Sequence, residues 1–296
     1  MSTRYPARVS TTRTAQCIDG RALAAEAKAL LAVRVTELAA LDRVVRLDVV
    51  LSAGNEAGGV YAKNQSSMCA ELGIEYRMHA VEADASESQV LQRVRELNDD
   101  DAVTAIMVHL PLPPSVSTQR VQACIAVDKD VEGVNPANIG GVIYGRRTLV
   151  PCTALATMRM IESTGVPLRG ADVVCVGAST IVGRPVAVLL MEAEATVLST
   201  NVHTRDLAGR TRTADVVITA AGVPDLLTGD MIKPGAVVID VGINRVIDPK
   251  TGKKKTVGDV HVDSVLPVAG YLSPVPGGVG PMTVAMLLRN TVAAAD

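Results

Sequence analysis

Along the chain, short aliphatic runs alternate with longer stretches in which apolar positions recur at helical spacing. Ala22–Ala40, rich in Ala, Leu, Glu and Lys, reads as a long first helix. Arg46–Ser52 reads as a strand, and Gly54-Asn55 with Gly58-Gly59 mark a loop at its carboxyl end. A helix is expected over Tyr61–Leu72, stopped by Gly73, and a second strand over Ile74–Ala80. The next helix, Ser86–Asn98, opens on a Ser86/Gln89 capping-box pair, with Glu87 at the positive end of its dipole. A third strand, Thr104–His109, is cut off by Leu110-Pro111-Leu112-Pro113-Pro114, and a helix over Thr118–Ala126 follows.

Asp128–Tyr144 is a Gly- and Asn-rich connector with little periodicity, and the boundary between two lobes is placed after it. Residues 1–148, joined by a terminal helix over 284–296, are expected to form one lobe, and residues 149–283 the other. The second begins with a helix over Thr153–Thr164 and continues with strands at Asp172–Val176, Ala195–Ser199, Asp215–Thr219 and Ala236–Asp240. Gly252 with Lys253–Lys255 suggests a small hairpin, and Pro274–Thr283 precedes the last helix, Val284–Ala295. Such alternation predicts an α/β fold with parallel sheets wrapped by helices. Ligands bind above the carboxyl ends of the strands in such folds. Loops 54–59, 110–114, 177–183, 220–224 and 242–245 all lie there.

Val173–Pro185 carries the first hint of chemistry. A β-branched run ends at Gly177, which permits a tight turn and close approach of a ligand. Gly183 lets the next helix pack close to the strand, and Pro185 suits its first turn. Free N–H groups at that helix start attract anions. The spacing is G-x5-G and not G-x-G-x-x-G, so alone it fits a plain strand-to-helix turn as well as a dinucleotide cradle.

Composition narrows the classes. The 296 residues are 48% hydrophobic with no Trp and no Phe, so the cores are aliphatic. Lys and Arg (29) nearly balance Asp and Glu (31), and few aromatics exist for base stacking, which argues against a nucleic-acid partner. Cys17, Cys69, Cys124, Cys152 and Cys175 are scattered, as in reduced thiols of a cytoplasmic protein, and no zinc spacing appears. Met1–Gln16 lacks an apolar core and is read as a short disordered leader, not a secretory signal. No run of about 18 apolar residues exists to cross a membrane.

Pro274-Val275-Pro276-Gly277-Gly278-Val279-Gly280-Pro281-Met282-Thr283 is far more specific. It resembles the carboxyl-terminal signature of the methylenetetrahydrofolate dehydrogenase/cyclohydrolase family. Ile18-Asp19-Gly20, Leu110–Pro113, Lys129-Asp130-Val131-Glu132-Gly133, Pro151-Cys152-Thr153, Val176–Ser179 with Val182–Pro185, and Gly235–Asn244 are similar to further family motifs in the same order. The resemblance runs from about Ala15 to the end. It implies a folate-binding catalytic lobe, a Rossmann-like NAD(P)-binding lobe, a folate cleft between them, a carboxyl-terminal helix packed back on the first lobe, and a homodimer. It also implies hydride transfer from methylene-tetrahydrofolate to a nicotinamide and, in bifunctional members, opening of the methenyl product by water. Carried over by position, the substrate would meet Tyr61, Asp130, Glu132, Pro276, Gly277, Gly278 and Thr283. The cofactor would meet Gly177, Ala178, Ser179, Val182, Asn201, Val202, Thr204, Ala220, Gly222, Gly242 and Ile243. Tyr61, Gln65, His109 and Glu132 stand at the catalytic positions.

Several of these positions depart from the family. Its Lys, one helical turn after the Tyr, is Gln65, which cannot act as a general base. Lys63 points to nearly the opposite side of the helix. The Gln before the LPLP loop is His109, whose charge changes near neutral pH. The second acid of KDVDG is Glu132, longer by one methylene. The family Arg after the first cradle glycine is Ala178. No acid ends the second strand of the cofactor lobe to hold a ribose hydroxyl, while Arg184, His203 and Arg205 are nearby cations, so NADP is expected over NAD. Changes concentrated in the cleft of an otherwise kept scaffold suggest specialisation. The expected activity is a dehydrogenase with weak or lost cyclohydrolase. The rivals are a paralogue acting on another C–N substrate and a non-catalytic folate or nucleotide binder.

Overall fold

The computed structural model describes residues 14–54, 56–146, 149–247 and 252–296. Residues 1–13 of the expected leader, Asn55, and Thr148 at the expected lobe boundary lie outside the described residues. In chain order the first elements are β1 (Gln16–Cys17), α1 (Gly20–Ala39), β2 (Arg46–Ser52), α2 (Glu56–Leu72), β3 (Glu75–Val81), α3 (Glu87–Asp99), β4 (Ala105–Val108), α4 (Thr118–Cys124) and α5 (Pro136–Ile143). β2 lies between β3 and β4, parallel to both. It is buried along its whole length, as a strand covered on both faces must be. Asp19 caps α1, its Oδ1 accepting from Arg21 N at 2.9 Å and Ala22 N at 3.1 Å. The Ser86/Gln89 capping box of α3 is formed.

The remaining elements are α6 (Cys152–Glu162), β5 (Asp172–Val176), α7 (Gly183–Glu192), β6 (Thr196–Thr200), α8 (Leu207–Thr211), β7 (Val216–Thr219), β8 (Val237–Asp240), β9 (Asn244–Ile247), β10 (Lys254–Val257), α9 (Val262–Val265), β11 (Tyr271–Leu272) and α10 (Val279–Ala293). They build a parallel six-stranded sheet in the order β1-β11-β8-β7-β5-β6, with β9 and β10 as a separate antiparallel pair. Register aligns Val176 with Thr219 and Thr219 with Asp240. The loops that leave β5, β7 and β8 therefore start side by side. The α/β expectation holds, with two sheets and Rossmann-like parallel topology in the second.

Four local expectations need correction. α2 begins at Glu56, so Gly58 and Gly59 are helical and not loop. Burial of Ala62, Gln65, Cys69 and Leu72 along one face outweighs the roughly 1 kcal/mol that each helical glycine costs. The connector contains α5, which Asn135 caps by accepting from Ala137 N at 2.8 Å, with Pro136 in its first turn. α10 starts at Val279, so the second half of the PVPGGVGPMT string is helix. Finally, β1 and β11 are too short to show a period, and their pairing puts Gln16 and Cys17 in the second sheet. The hairpin is present as β9 and β10, with Lys254 and Lys255 in a strand; residues 248–251 of its turn lie outside the described ones.

α10 ties the molecule together. It packs against α1 and α6. From its buried face Asn290 Nδ2 donates to Val131 O and Val150 O, both at 2.9 Å. One continuous apolar core runs from Leu47 and Val49 on β2 through Leu287 and Leu288 on α10 to Val173, Val216 and Val237.

Candidate active site

His109 follows β4 directly, and its backbone N–H donates to Val50 O at 2.9 Å. The imidazole is buried, which pushes its pKa below the ordinary histidine range. It is neutral at pH 7, and its Nε2 has no protein partner among the described residues. Tyr61 on α2 meets it edge-on, with ring centroids 5.6 Å apart and planes at 90°. Burial first, then the charges of Glu132 and Cys152, push the Tyr61 phenol up to about 12. Gln65, one turn further along α2, is 0% exposed. Its Nε2 donates to Met107 Sδ on β4 at 3.2 Å, and its Oε1 has no partner among the described residues.

The acid loop comes off the opposite side of β4. Ile106 N donates to Lys129 O at 2.8 Å and Asp130 bridges to Ile106. Lys129 turns away: its Nζ donates to the carbonyls of Leu97, Asn98 and Asp100 at the end of α3. Asp130 is fully buried. Its Oδ2 accepts from Asn135 N at 2.7 Å and Asn138 Nδ2 at 2.8 Å, while Oδ1 is unpartnered among the described residues. Asp130 therefore anchors α5 and has one oxygen to spare. Gly133 has φ +67°, and a Cβ there would lie 2.5 Å from Val150 C. Burial and the neighbouring Asp130 push the Glu132 carboxyl up to about 8, against a backbone hydrogen bond from Val108 that pulls it down. Cys152, at the start of α6, is a further member of this cluster that sequence reasoning left out. Its Sγ donates to Val131 O at 3.1 Å and lies 3.5 Å from Asn290 Nδ2. Burial, then Glu132, hold the thiol protonated. Its signal was the PCT string itself, where spacing gave it no role.

The PVPGG loop closes the cleft from the carboxyl-terminal side. A Cβ on Gly20 would lie 1.9 Å from Gly278 O, so α1 starts hard against this loop, and Gly277 has φ +113°. Pro276 is exposed, Gly278 is buried, and Thr283 lies one turn inside α10. Pro281 and Val284 of α10 share a groove with Arg21 of α1 and Asn64 and Ser67 of α2, the helix that carries Tyr61. Among the expected substrate and catalytic positions, Tyr61, His109 and Glu132 with Asp130 come together directly. Gln65 is adjacent but turned into the sheet.

The cofactor positions lie over the other sheet. Gly177 has φ +106°, and a Cβ there would lie 2.4 Å from Ala220 O. One on Gly183 would lie 2.0 Å from Gly177 O. No side chain fits between these turns, as a cradle for pyrophosphate requires. Ser179 Oγ accepts from Gly183 N at 3.2 Å, so this hydroxyl shapes the cradle, with Ala178 and Val182 between. Arg184 Nε donates to Ala178 O at 3.1 Å, folding an exposed guanidinium back over the loop. After β6, Asn201 and Thr204 close a turn by Asn201 N to Thr204 Oγ1 (2.9 Å) and His203 N to Asn201 Oδ1 (2.9 Å), leaving Val202 and His203 exposed. Gly222 and Ile243 are exposed, Ala220 is half-buried and Gly242 is buried. The residues present fit a dinucleotide. Two buried acids beneath these loops, Asp240 and Asp259, were not among the expected site residues. Asp240 shows in the sequence only as the end of a strand and within the Gly235–Asn244 motif, and nothing local marks Asp259.

Among the described residues, no group of three or more His, Cys, Asp or Glu is placed to hold a metal ion. None of their helices is long and apolar enough to cross a membrane. All five thiols are free.

Residues 18–132 match the tetrahydrofolate dehydrogenase/cyclohydrolase catalytic domain, and residues 151–296 match the NAD(P)-binding domain of the same family. The bifunctional protein FolD of Moorella thermoacetica is 46% identical over 95% of this chain and 99% of its own. The crystal structure of the bifunctional FolD enzyme of Campylobacter jejuni superposes with a TM-score of 0.90 at 40% identity, over 95% of this chain and 98% of that one. The Trypanosoma brucei dehydrogenase-cyclohydrolase, complexed with NADP and an inhibitor, gives 0.88 at 36% identity, over 95% and 97%.

Proposed function

The chain belongs to the tetrahydrofolate dehydrogenase/cyclohydrolase family, and from that premise we propose that it oxidises methylene-tetrahydrofolate to the methenyl form with NADP while its cyclohydrolase activity is weak or lost. The family makes it an oxidoreductase with an NAD(P)-binding domain; the loss of the second activity, the preference for NADP and the roles of single residues are the proposal. One observation carries it. At the position of the family lysine, Gln65 is fully enclosed with its amide on the Met107 sulfur.

Dehydrogenation asks mainly for positioning. Bound NADP supplies the hydride acceptor. Tyr61 presents its ring for stacking on the folate, braced from below by His109. The free Oδ1 of Asp130 and the carboxyl of Glu132 accept N–H groups of the pterin, and Pro276, Gly277, Gly278 and Thr283 wall the cleft. Gly177 and Gly183 let phosphates reach backbone N–H groups. Losing hydride leaves positive charge shared by N5, N10 and the carbon between them, which the lone pairs of the two nitrogens stabilise. Opening the methenyl ring is different: water must give up a proton as it attacks. Gln65 cannot take it, and burial disfavours the charged imidazolium that His109 would become on taking it.

NADP is preferred because β6 ends in Thr200-Asn201 and not in an acid, with Arg184 folded over the cradle. The protein works as a cytoplasmic homodimer, without a nucleic-acid or membrane partner. A second reading, a related C–N substrate, rests on the exchange of Lys, Gln and Asp for Gln65, His109 and Glu132. A spectrophotometric assay with methylene-tetrahydrofolate, run with NADP and NAD separately, tests both. Turnover with NADP supports the first reading. Dinucleotide binding without folate-dependent reduction supports the second.

A further inference from the structure

Two buried carboxyls interlock beneath the loops that leave β7 and β8. Asp259, 0% exposed, accepts at Oδ2 from Thr219 Oγ1 (3.0 Å), Ala221 N (2.7 Å) and Gly222 N (3.1 Å). Its Oδ1 accepts from Asn244 Nδ2 at 2.8 Å. Asp240, the last residue of β8, accepts from Gly242 N (2.9 Å), Asp259 N (3.0 Å) and Val260 N (3.0 Å). The fit leaves no slack. A Cβ on Gly242 would lie 2.2 Å from Asp259 Oδ1, and one on Gly258 would lie 1.9 Å from Asp240 Oδ2.

Ala221 and Gly222 are exposed, Gly222 has φ +70°, and Asp259 holds both of their N–H groups while Ala220 N donates to Val176 O at 2.8 Å. A carboxyl gathering several N–H donors binds them about twice as strongly as a neutral acceptor. The same turn begins with Ala220, whose carbonyl packs against Gly177. Any shift at Asp259 therefore passes through Ala220 to the phosphate cradle, and through Asn244 to the loop of Gly242 and Ile243.

We infer that Asp259 is a positioning residue for the dinucleotide: it touches neither substrate nor cofactor, and it holds three cofactor-facing loops in register. This rests on the dehydrogenase reading only for the identity of the ligand. Asp240 serves it in turn by fixing the backbone N–H of Asp259.

The test uses the full chain, with NADP binding by calorimetry, KM for both substrates, and thermal midpoints. Asp259→Ala should raise the Kd and KM for NADP at least about tenfold, with the KM for methylene-tetrahydrofolate changed less than about threefold. Asp259→Asn keeps one oxygen for Ala221 and Gly222 if Asn244 turns its amide, and should fall between. Leu190→Ala, in the fully buried core at the far end of α7, is the control for lost stability. It should lower the midpoint and leave NADP affinity within about twofold. If Asp259→Ala does not fold, Asp259→Asn carries the comparison. Wild-type NADP affinity in either Asp259 variant, or an equal loss in Leu190→Ala, overturns the assignment. NADP binding without folate oxidation would remove the dehydrogenase reading and leave this one standing; no binding of NADP or NAD to the wild type would remove both.

Discussion

Gln65 reaches across to β4 and places its amide nitrogen 3.2 Å from the sulfur of Met107. A thioether is a weak acceptor, and the amide oxygen is left buried without a partner among the described residues. Polar groups enclosed this poorly cost stability. Gln65→Met should therefore leave the thermal midpoint unchanged or raise it, and should leave methylene oxidation largely intact. A drop of several degrees in the midpoint would mean that the amide makes a contact of real value.

The same position should accept the missing chemistry. Gln65→Lys combined with His109→Gln restores the family pair and should raise methenyl hydrolysis by about a hundredfold, the usual scale of general base catalysis. A fall in midpoint should accompany it, since the new ammonium is desolvated. Stopped-flow decay of methenyl-tetrahydrofolate absorbance measures the gain directly.

Glu132 sets a pH dependence of stability. Its carboxyl is raised from 4.5 to about 8 in the fold, so the folded state holds a proton that the unfolded chain has released. That stabilisation is complete below 4.5 and is lost as pH climbs through about 8. Asp240, raised from 3.8 to about 6, acts in the same direction at lower pH. His109, lowered from 6.5, opposes both, but only where the unfolded imidazole is charged. The clean window therefore lies between about pH 6.5 and about pH 8.5. The midpoint of the ligand-free protein should fall across it, and Glu132→Gln should flatten the slope. An unchanged slope in that variant would assign the titration elsewhere.

Much of this was legible in the residues. The strands were found because β5, β7 and β8 are mostly aliphatic and β2 centres on Val49-Val50-Leu51, and the capping box of α3 is a purely local signal. The start of α2 was missed because Gly58 and Gly59 argue locally for a loop, while the buried face that overrides them is tertiary. α5 is two turns long and contains two glycines, so no period could show it. At the site, Tyr61, His109 and Glu132 were legible only through the resemblance. Asp259 and Asn290 were invisible, because each works through bonds to backbone more than 30 residues away in sequence. Gln65 was read correctly as uncharged, but its turn into the sheet needed Met107 in view.

Gly183 tests the cradle. A Cβ there would meet Gly177 O at 2.0 Å, so Gly183→Ala forces the helix start away from the strand. Overpacking of this kind costs about 1–3 kcal/mol. The midpoint should fall and dinucleotide affinity should drop by at least about tenfold, with folate binding less affected.

Asn290 tests the link between α10 and the acid loop. Asn290→Ala strands the carbonyl of Val150, at about 1–3 kcal/mol for a buried group left unsatisfied, and leaves Val131 O with only the weak Cys152 thiol donor. Because Val131 precedes Glu132, the KM for the folate should rise alongside the loss of stability. Asn290→Asp, which offers no donor when ionised, should behave no better.

The most direct measurement takes one preparation of the purified protein and compares two rates: NADP-dependent oxidation of methylene-tetrahydrofolate and hydrolysis of methenyl-tetrahydrofolate, each corrected for the uncatalysed reaction. The account predicts clear oxidation, with enzymatic hydrolysis at least about a hundredfold slower. Hydrolysis that keeps pace with oxidation would contradict it, and would mean that this cleft manages the proton without a lysine.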